Sequence, residues 1–279
     1  MASVRFLLSF LLLAWFSTFA LAAPENGASA PVAKVRSLEI ANKPWKGDFD
    51  AMLERRIIRV AVPYSRSLYF VDQGRERGLS AELIRDFERW VNKKHAKKLG
   101  KRPVTVYIVA ATRDRLLPDL EAGLADIAVG NLTVTDERLA IVDFVAPENE
   151  ALNTEVLVTG PTTPEIKTLD DLAGKTVHVR KTSSYHTSLG VLNERLRRAG
   201  RAEVKLVLVP EALEDEDMLE MLNAGLLSAI VVDDWKAKMW AQVLPKIVVR
   251  DDIVLREATR KGWAVRKGSP QLVAELNRS

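Results

Sequence analysis

The 279-residue chain contains no cysteine. No disulfide can staple it, and no thiol can carry a lipid anchor. Its stability must come from an ordinary apolar core, and 47% hydrophobic residues supply the material for one. Histidine is scarce. His95, His178 and His186 lie far apart, without metal-ligand spacing, so no metal site is expected. The formal charge is only +4, with acids and bases interspersed. There is no basic stripe interleaved with aromatics, which argues against a nucleic-acid partner. The "KKHAKKLGKR" run reads as a solvated helix end. The nucleophile-elbow, phosphate-loop and dinucleotide motifs are missing, and no cofactor is expected. Neighbouring acids such as Asp170-Asp171 and Asp251-Asp252 read as helix starts or solvated faces rather than a glycosidase pair. Ser183, Ser184, Tyr185 and His186 are consecutive at a helix start, where adjacent side chains do not face each other. No catalytic residue is therefore assigned, and the chain as given reads as a non-enzyme.

A single long apolar run stands at the start. Arg5 precedes "FLLSFLLLAWFSTFALA", and Ala20-Leu21-Ala22 offers a small-residue exit before Ala23. Residues 1–22 are expected to be a cleaved signal peptide, the alternative being an anchor of near-spanning length. Export without cysteine fits a bacterial periplasm, with outer-membrane association left open. Residues 23–50, rich in Ala, Pro, Asn and Gly, are expected to be a flexible leader.

Beyond residue 50 the periodicities alternate. "RIIRVAVP" (56–63) is a short, nearly continuous apolar run, as in a strand buried on both faces. Leu79, Leu83, Ile84, Phe87, Trp90 and Val91 recur at spacings of three and four, which predicts an amphipathic helix with Ser80 as its N-cap. "PVTVYIVAA", "RDRLLPDLEAGL" and "ADIAVGN" continue as strand, helix and strand. A second set follows from "TEVLVTG" to "LSAIVVDD" and "WKAKMWAQVLP", closed by "KIVVRDDIVL" and "RKGWAVRKG". Two α/β sets in one chain predict two mostly parallel sheets with a ligand cleft beyond their carboxyl ends. Lobe one is expected over 51–148 and 258–279, lobe two over 149–257. Ser269 and Pro270 open a closing helix well, and its short run suggests a chain shorter than its relatives.

"DIAVGNLTVTDERLAIVDF" (126–144) crowds hydrogen-bonding groups where a strand ends and a helix starts. One reading is a carboxylate receptor. A guanidinium grips a carboxylate in a charge-assisted pair, a helix N-terminus offers free N–H groups, and Thr133 adds a hydroxyl. The other has Thr135 as a simple N-cap and Arg138 in a surface ion pair. Asp233 ends a strand in the second set, where it could cap the next helix.

The order of blocks resembles the family 3 solute-binding proteins, periplasmic receptors of polar amino-acid transporters. The resemblance runs from about Leu53 onward. It is carried by "RIIRVAV", "LPDLEAGLADIAVGNLTVTDERLAIVDFVAP", "LDDLAGKTVHV", "AGLLSAIVVDD" and "GWAVRKGSPQL". It implies a two-lobed periplasmic binding fold of type II that closes over a small zwitterion, an amino acid or short peptide. The family's carboxylate-gripping arginine falls on Arg138, and its turn hydroxyls on Thr133 and, by position, Gly130 and Asn131. Its ammonium-binding aspartate falls on Asp233, and a hydroxylated pair opening a lobe-two helix on Ser183 and Ser184. A stacking aromatic falls on Tyr64, Tyr69 or Phe70. An ABC permease is the implied partner.

The chain departs from amino-acid receptors at several points. Gly130 and Asn131 stand where hydroxyls are usual, Ser228 replaces a strand aspartate, and Arg180-Lys181-Thr182 precede the serine pair. These departures, with "LYFVDQGRERGLSAELIRDFERWVNKK", resemble the solute-binding-like module of lytic murein transglycosylase F. That resemblance implies a peptidoglycan fragment as ligand and a fused or associated wall enzyme as partner. The stretches that mark the family's catalytic domain are not found in these residues.

Overall fold

The structure, a computed structural model, describes residues 42–147 and 152–279. The expected signal peptide, and the leader up to residue 41, lie outside the described residues. A first five-stranded sheet has the order β4-β1-β5-β12-β6. Its strands are β1 (Ile57–Pro63), β4 (Thr105–Ala111), β5 (Ile127–Thr133), β6 (Val142–Val145) and β12 (Lys261–Arg266). The second has the order β11-β7-β10-β8-β9. It contains β7 (Asn153–Thr159), β8 (Thr176–Arg180), β9 (Lys205–Val209), β10 (Ala229–Asp233) and β11 (Val248–Thr259). A small hairpin, β2 (Phe70–Asp72) with β3 (Arg75–Arg77), follows β1. Each large sheet is mostly parallel, with one reversed strand: β12 in the first, β7 in the second. The chain passes between sheets twice, after β6 and at Arg260. Ala258, two residues before that second crossing, holds φ 55°.

Helices cover both faces of each sheet. In lobe one, α1 (Phe49–Arg55), α2 (Leu79–Lys94), the short α3 (Ala96–Leu99) and α9 (Pro270–Leu276) share a core with Ile58, Val60 and Val62 of β1. The helix α4 (Arg113–Glu121) packs Leu116 and Leu120 on the other face. The short α5 (Asp136–Ile141) leads into β6. In lobe two, α6 (Ser184–Arg198) buries Leu189, Leu192 and Leu196 on one face. The helices α7 (Asp215–Asn223) and α8 (Asp234–Ala241) cover the other. Among the described residues, no helix is long and apolar enough to cross a membrane.

Every residue of β1 is buried, including Arg59. A buried guanidinium must have all its donors met. Asp126 accepts from the Arg59 backbone N–H at 2.8 Å, Nε at 3.1 Å and Nη2 at 2.8 Å. The carbonyls of Lys43 and Trp45 accept from Nη1 and Nη2 at 3.0 and 3.1 Å. This corrects the expected leader: residues from Lys43 onward pack on lobe one because Arg59 holds them there. Phe49 is buried, and the Arg55 guanidinium lies 4.6 Å from the Trp45 ring centroid.

The N-cap of α2 is also corrected. Gly78, not Ser80, stands at that position, with φ 105° and no side-chain cap. A Cβ there would lie 2.4 Å from the Leu68 carbonyl oxygen, and Ser80 N–H donates to that same oxygen. Close backbone approach therefore selects glycine. Leu79 and Leu83, read as apolar-face positions, are half-exposed, while Ala81, Ile84, Phe87 and Val91 form the buried stripe.

Asp126→Ala strands the Arg59 charge inside lobe one. It should cost about 3–5 kcal/mol in urea unfolding of the full chain. A loss under 1 kcal/mol would show that water reaches Arg59.

Candidate functional site

The carboxyl ends of β5, β8 and β10 converge between the lobes. The last residues of β5 depart from regular strand geometry. Asn131 has φ 56°, which asparagine tolerates better than most residues. Beside it, a Cβ on Gly130 would lie 2.6 Å from Pro63 Cδ, so the strand end is pressed against β1. Arg113 Nη1 donates to the Gly130 carbonyl at 2.7 Å and holds it there.

Thr135 caps α5, its hydroxyl accepting from Arg138 N–H at 3.3 Å. The cap half of the simple local reading therefore holds, but the ion-pair half does not. Arg138 Nη1 donates to the Thr133 carbonyl at 2.8 Å, and Nη2 reaches across to the Thr182 carbonyl at 2.9 Å. Among the described residues, no carboxylate forms a salt bridge with Arg138. Burial, and then repulsion from Arg113, lower its pKa from the ordinary arginine value. Such a cation is better stabilised by an incoming anion than by water.

Lobe two meets it with the start of α6. The Ser183 hydroxyl accepts from His186 N–H at 3.2 Å and donates to the Arg180 carbonyl at 2.8 Å. The Ser184 hydroxyl lies 3.0 Å from the Thr133 hydroxyl across the cleft. A cavity of about 200 Å³ lies between the lobes, bordered by Asn131, Thr133, Arg138, Ser183, Ser184 and Tyr185. Five of the ten residues expected at the site thus border one space.

Asp233 is fully buried and does not border that cavity. It stands at the N-cap position of α8 without capping it by its side chain. Its Oδ1 accepts from Lys261 Nζ at 2.7 Å, and its Oδ2 from Asn131 Nδ2 at 2.6 Å. Lys261 Nζ also donates to Thr133 Oγ1 at 2.8 Å. Lys261 was missed from the sequence because it reads only as the charged start of "KGWAVR". The available signal was its position as the first residue of a strand that pairs with Thr133 on β5.

Further pairs join the lobes. Arg113 grips Glu214 with two bonds, 2.8 Å from Nε and 2.7 Å from Nη2. Ser65 donates to Glu216 at 2.6 Å, and Arg66 pairs with Glu220 at 2.7 Å and Asp217 at 3.0 Å. Trp240 Nε1 reaches Ser67 Oγ at 3.1 Å. On the cavity wall, Asp215 accepts from Arg180, from Lys236 at 2.9 Å and from the Tyr185 hydroxyl at 3.3 Å. Burial alone would raise the Asp215 carboxyl, but Lys236 and Arg180 hold it well below the ordinary range. Burial works the same way on Glu214, where Arg113 wins and lowers it.

The aromatic candidates lie elsewhere. Tyr64 is 59% exposed, Tyr69 is buried in the lobe-one core, and Phe70 opens β2. None borders the Arg138 cavity. Arg66, two residues beyond Tyr64, is instead the side chain aimed at lobe two.

Residues 58–279 match the bacterial extracellular solute-binding proteins, family 3. The chain is 27% identical over 225 residues to the membrane-bound lytic murein transglycosylase F 2 of Alkalilimnicola ehrlichii, covering 80% of this chain and 45% of that protein. It is 25% identical over 249 residues to the L-cystine-binding protein of Escherichia coli, covering 88% and 84%. It thus spans less than half the length of the transglycosylases it matches. The arginine-bound form of truncated ArgBP from T. maritima superposes with a TM-score of 0.60 at 26% identity, covering 82% of this chain and 97% of that one. The fold is that of the type II periplasmic amino-acid-binding proteins.

Because the folded-state pKa values of Asp215 and Glu214 are depressed, the stability they contribute is present above the ordinary carboxylate range. It is lost as pH falls through their folded values. The melting temperature of the full chain should drop on acidification below that range. Asp215→Asn should melt lower at neutral pH, by about 3–5 kcal/mol of stability, and should fall less steeply with acid. An unchanged acid slope in the variant would remove Asp215 from the account.

Proposed function

The chain belongs to the bacterial extracellular solute-binding proteins, family 3, and on that premise we propose that it is a periplasmic module that closes over a small carboxylate-bearing solute. That class includes amino acids and short peptides. The observation that carries the reading is Arg138, a half-buried cation without a carboxylate partner among the described residues, set at a cavity between two lobes. Arg138 would bind the carboxylate from lobe one. The hydroxyl of Ser184, with the N-terminus of α6, would meet it from lobe two, while Ser183, whose hydroxyl is committed to the Arg180 carbonyl, fixes that helix start. A ligand held from both sides stabilises the closed state through contacts that the open state lacks. Thr133 orients the pocket floor, Asn131 sets its edge, and Gly130, held by Arg113 behind it, does not border the space. An ammonium-bearing ligand would address Asp233, which requires Lys261 and Asn131 to release it. The chemistry is binding and release, with no bond made or broken.

The match to wall-lytic transglycosylases favours a second reading. There the same module senses a peptidoglycan fragment on behalf of a wall enzyme. In the first reading an ABC permease receives the solute.

A thermal-shift panel of amino acids, other short carboxylates and peptidoglycan stem peptides on the full chain separates the two, since a ligand that binds only the native state raises the melting temperature. Arg138→Ala should weaken the responding ligand about thirty-fold or more, because removing the partner of a buried charge costs about 2–5 kcal/mol. Retained affinity in a folded Arg138→Ala protein would contradict the site. A response confined to stem peptides would favour the sensor reading.

A further inference from the structure

Lys261 presents an ammonium to the two side chains that a ligand's ammonium would be expected to use. Its Nζ donates to Asp233 Oδ1 at 2.7 Å and to Thr133 Oγ1 at 2.8 Å. The second oxygen of Asp233 is taken by Asn131 at 2.6 Å. The pair is nearly sealed, with 6% of the lysine side chain and 0% of the aspartate side chain exposed. Displacing Lys261 would strand a buried ammonium, whereas keeping it leaves Asp233 with no charge to offer.

The other cations that border the cavity are already paired. Arg113 is paired with Glu214, and Arg180 with Asp215. Glu155, buried on β7, accepts from Ser188 with one oxygen, keeps the other without a partner among the described residues, and does not border the space. Asp114, which does border it, faces solvent. Arg138 therefore supplies the one cation at the cavity without an ion-pair partner among the described residues. A single carboxylate balances it, and on the cavity wall an added ammonium would meet no unpaired carboxylate other than the solvent-facing Asp114. The space of about 200 Å³ is also smaller than the roughly 300–1,000 Å³ of sites for drug-sized ligands.

We infer that the ligand is a short-chain carboxylate without an ammonium group, and that Lys261 is the residue that excludes amino acids by occupying their ammonium site. This inference rests on the reading of Arg138 as the carboxylate site. A hydroxyl in place of the ammonium is compatible with the wall, where Ser184 and Thr133 offer partners. The specificity mechanism is unpaired-charge exclusion: an amino acid would bring an ammonium into a space where Asp233 is already neutralised.

The test is calorimetric titration of the full chain with matched pairs, L-lactate against L-alanine and 2-hydroxyglutarate against glutamate. Each pair differs by hydroxyl against ammonium. The wild type should prefer the hydroxy acid of the responding pair by at least tenfold. Lys261→Met keeps the stem and removes the ammonium, and it should gain the amino acid by a similar factor. Should Lys261→Met fail to fold, Lys261→Gln keeps a hydrogen-bond donor to Asp233, removes the positive charge and should likewise gain the amino acid. A folded Lys261 variant that still refuses the amino acid overturns the role of Lys261. A wild type that binds the amino acid equally well or better overturns the inference. If Arg138→Ala abolishes that binding, the carboxylate site stands alone. No binding of any of the four by the wild type overturns the inference, and binding unaffected by Arg138→Ala overturns the carboxylate site with it.

Discussion

Lys261 Nζ, Asp233 and Asn131 form one buried knot where β12, β10 and β5 meet. Two opposite charges removed from water are tolerable only when each has close partners. Lys261 comes from the strand that returns the chain to lobe one, and Asp233 from the end of a lobe-two strand. Their pairing therefore fixes how the lobes face each other. It also requires the left-handed turn at Asn131, because the amide reaches Asp233 from that backbone conformation.

The acidic start of α7 extends the same principle along the cleft. Glu214 stands at the N-cap and Asp215, Glu216 and Asp217 in the first turn, where acids favour the helix dipole. Each also serves a second purpose. Glu214 receives Arg113, Asp215 receives Arg180 and Lys236, Glu216 receives Ser65, and Asp217 receives Arg66. Three of these four join the lobes, so the closed arrangement is held by the chain's own charges as well as by whatever enters the cavity. The exposed Arg66 pairs contribute little, while the buried Arg113–Glu214 pair has strong directional contacts.

The two α/β sets were legible because buried strands and amphipathic helices leave different periods, as in β1 and α2. Arg138 and Thr133 stood out through the local pattern of a strand end followed by a capped helix start, and Ser183 and Ser184 through the family resemblance; all four border one cavity. What failed was long-range. Lys261 lies 28 residues from Asp233 and meets it only through sheet order. The aromatic candidates failed because Tyr69 turns into the core and Tyr64 outward. The Ser80 cap failed because the controlling contact at Gly78 is with the Leu68 carbonyl, ten residues earlier. The leader reading ended too late because Arg59, a buried strand residue, recruits the carbonyls of Lys43 and Trp45.

The state of the Lys261 ammonium during binding tests the central claim most directly. In ¹⁵N-lysine-labelled full chain, a buried, hydrogen-bonded ammonium gives a slowly exchanging Nζ resonance, assigned by its loss in Lys261→Met. Saturation with the responding ligand should leave that resonance in place, as expected if Lys261 keeps Asp233 while the ligand sits on Arg138. Its disappearance or a large shift towards a solvated lysine, coincident with binding, would mean that the ligand displaces Lys261 and brings its own cation to Asp233.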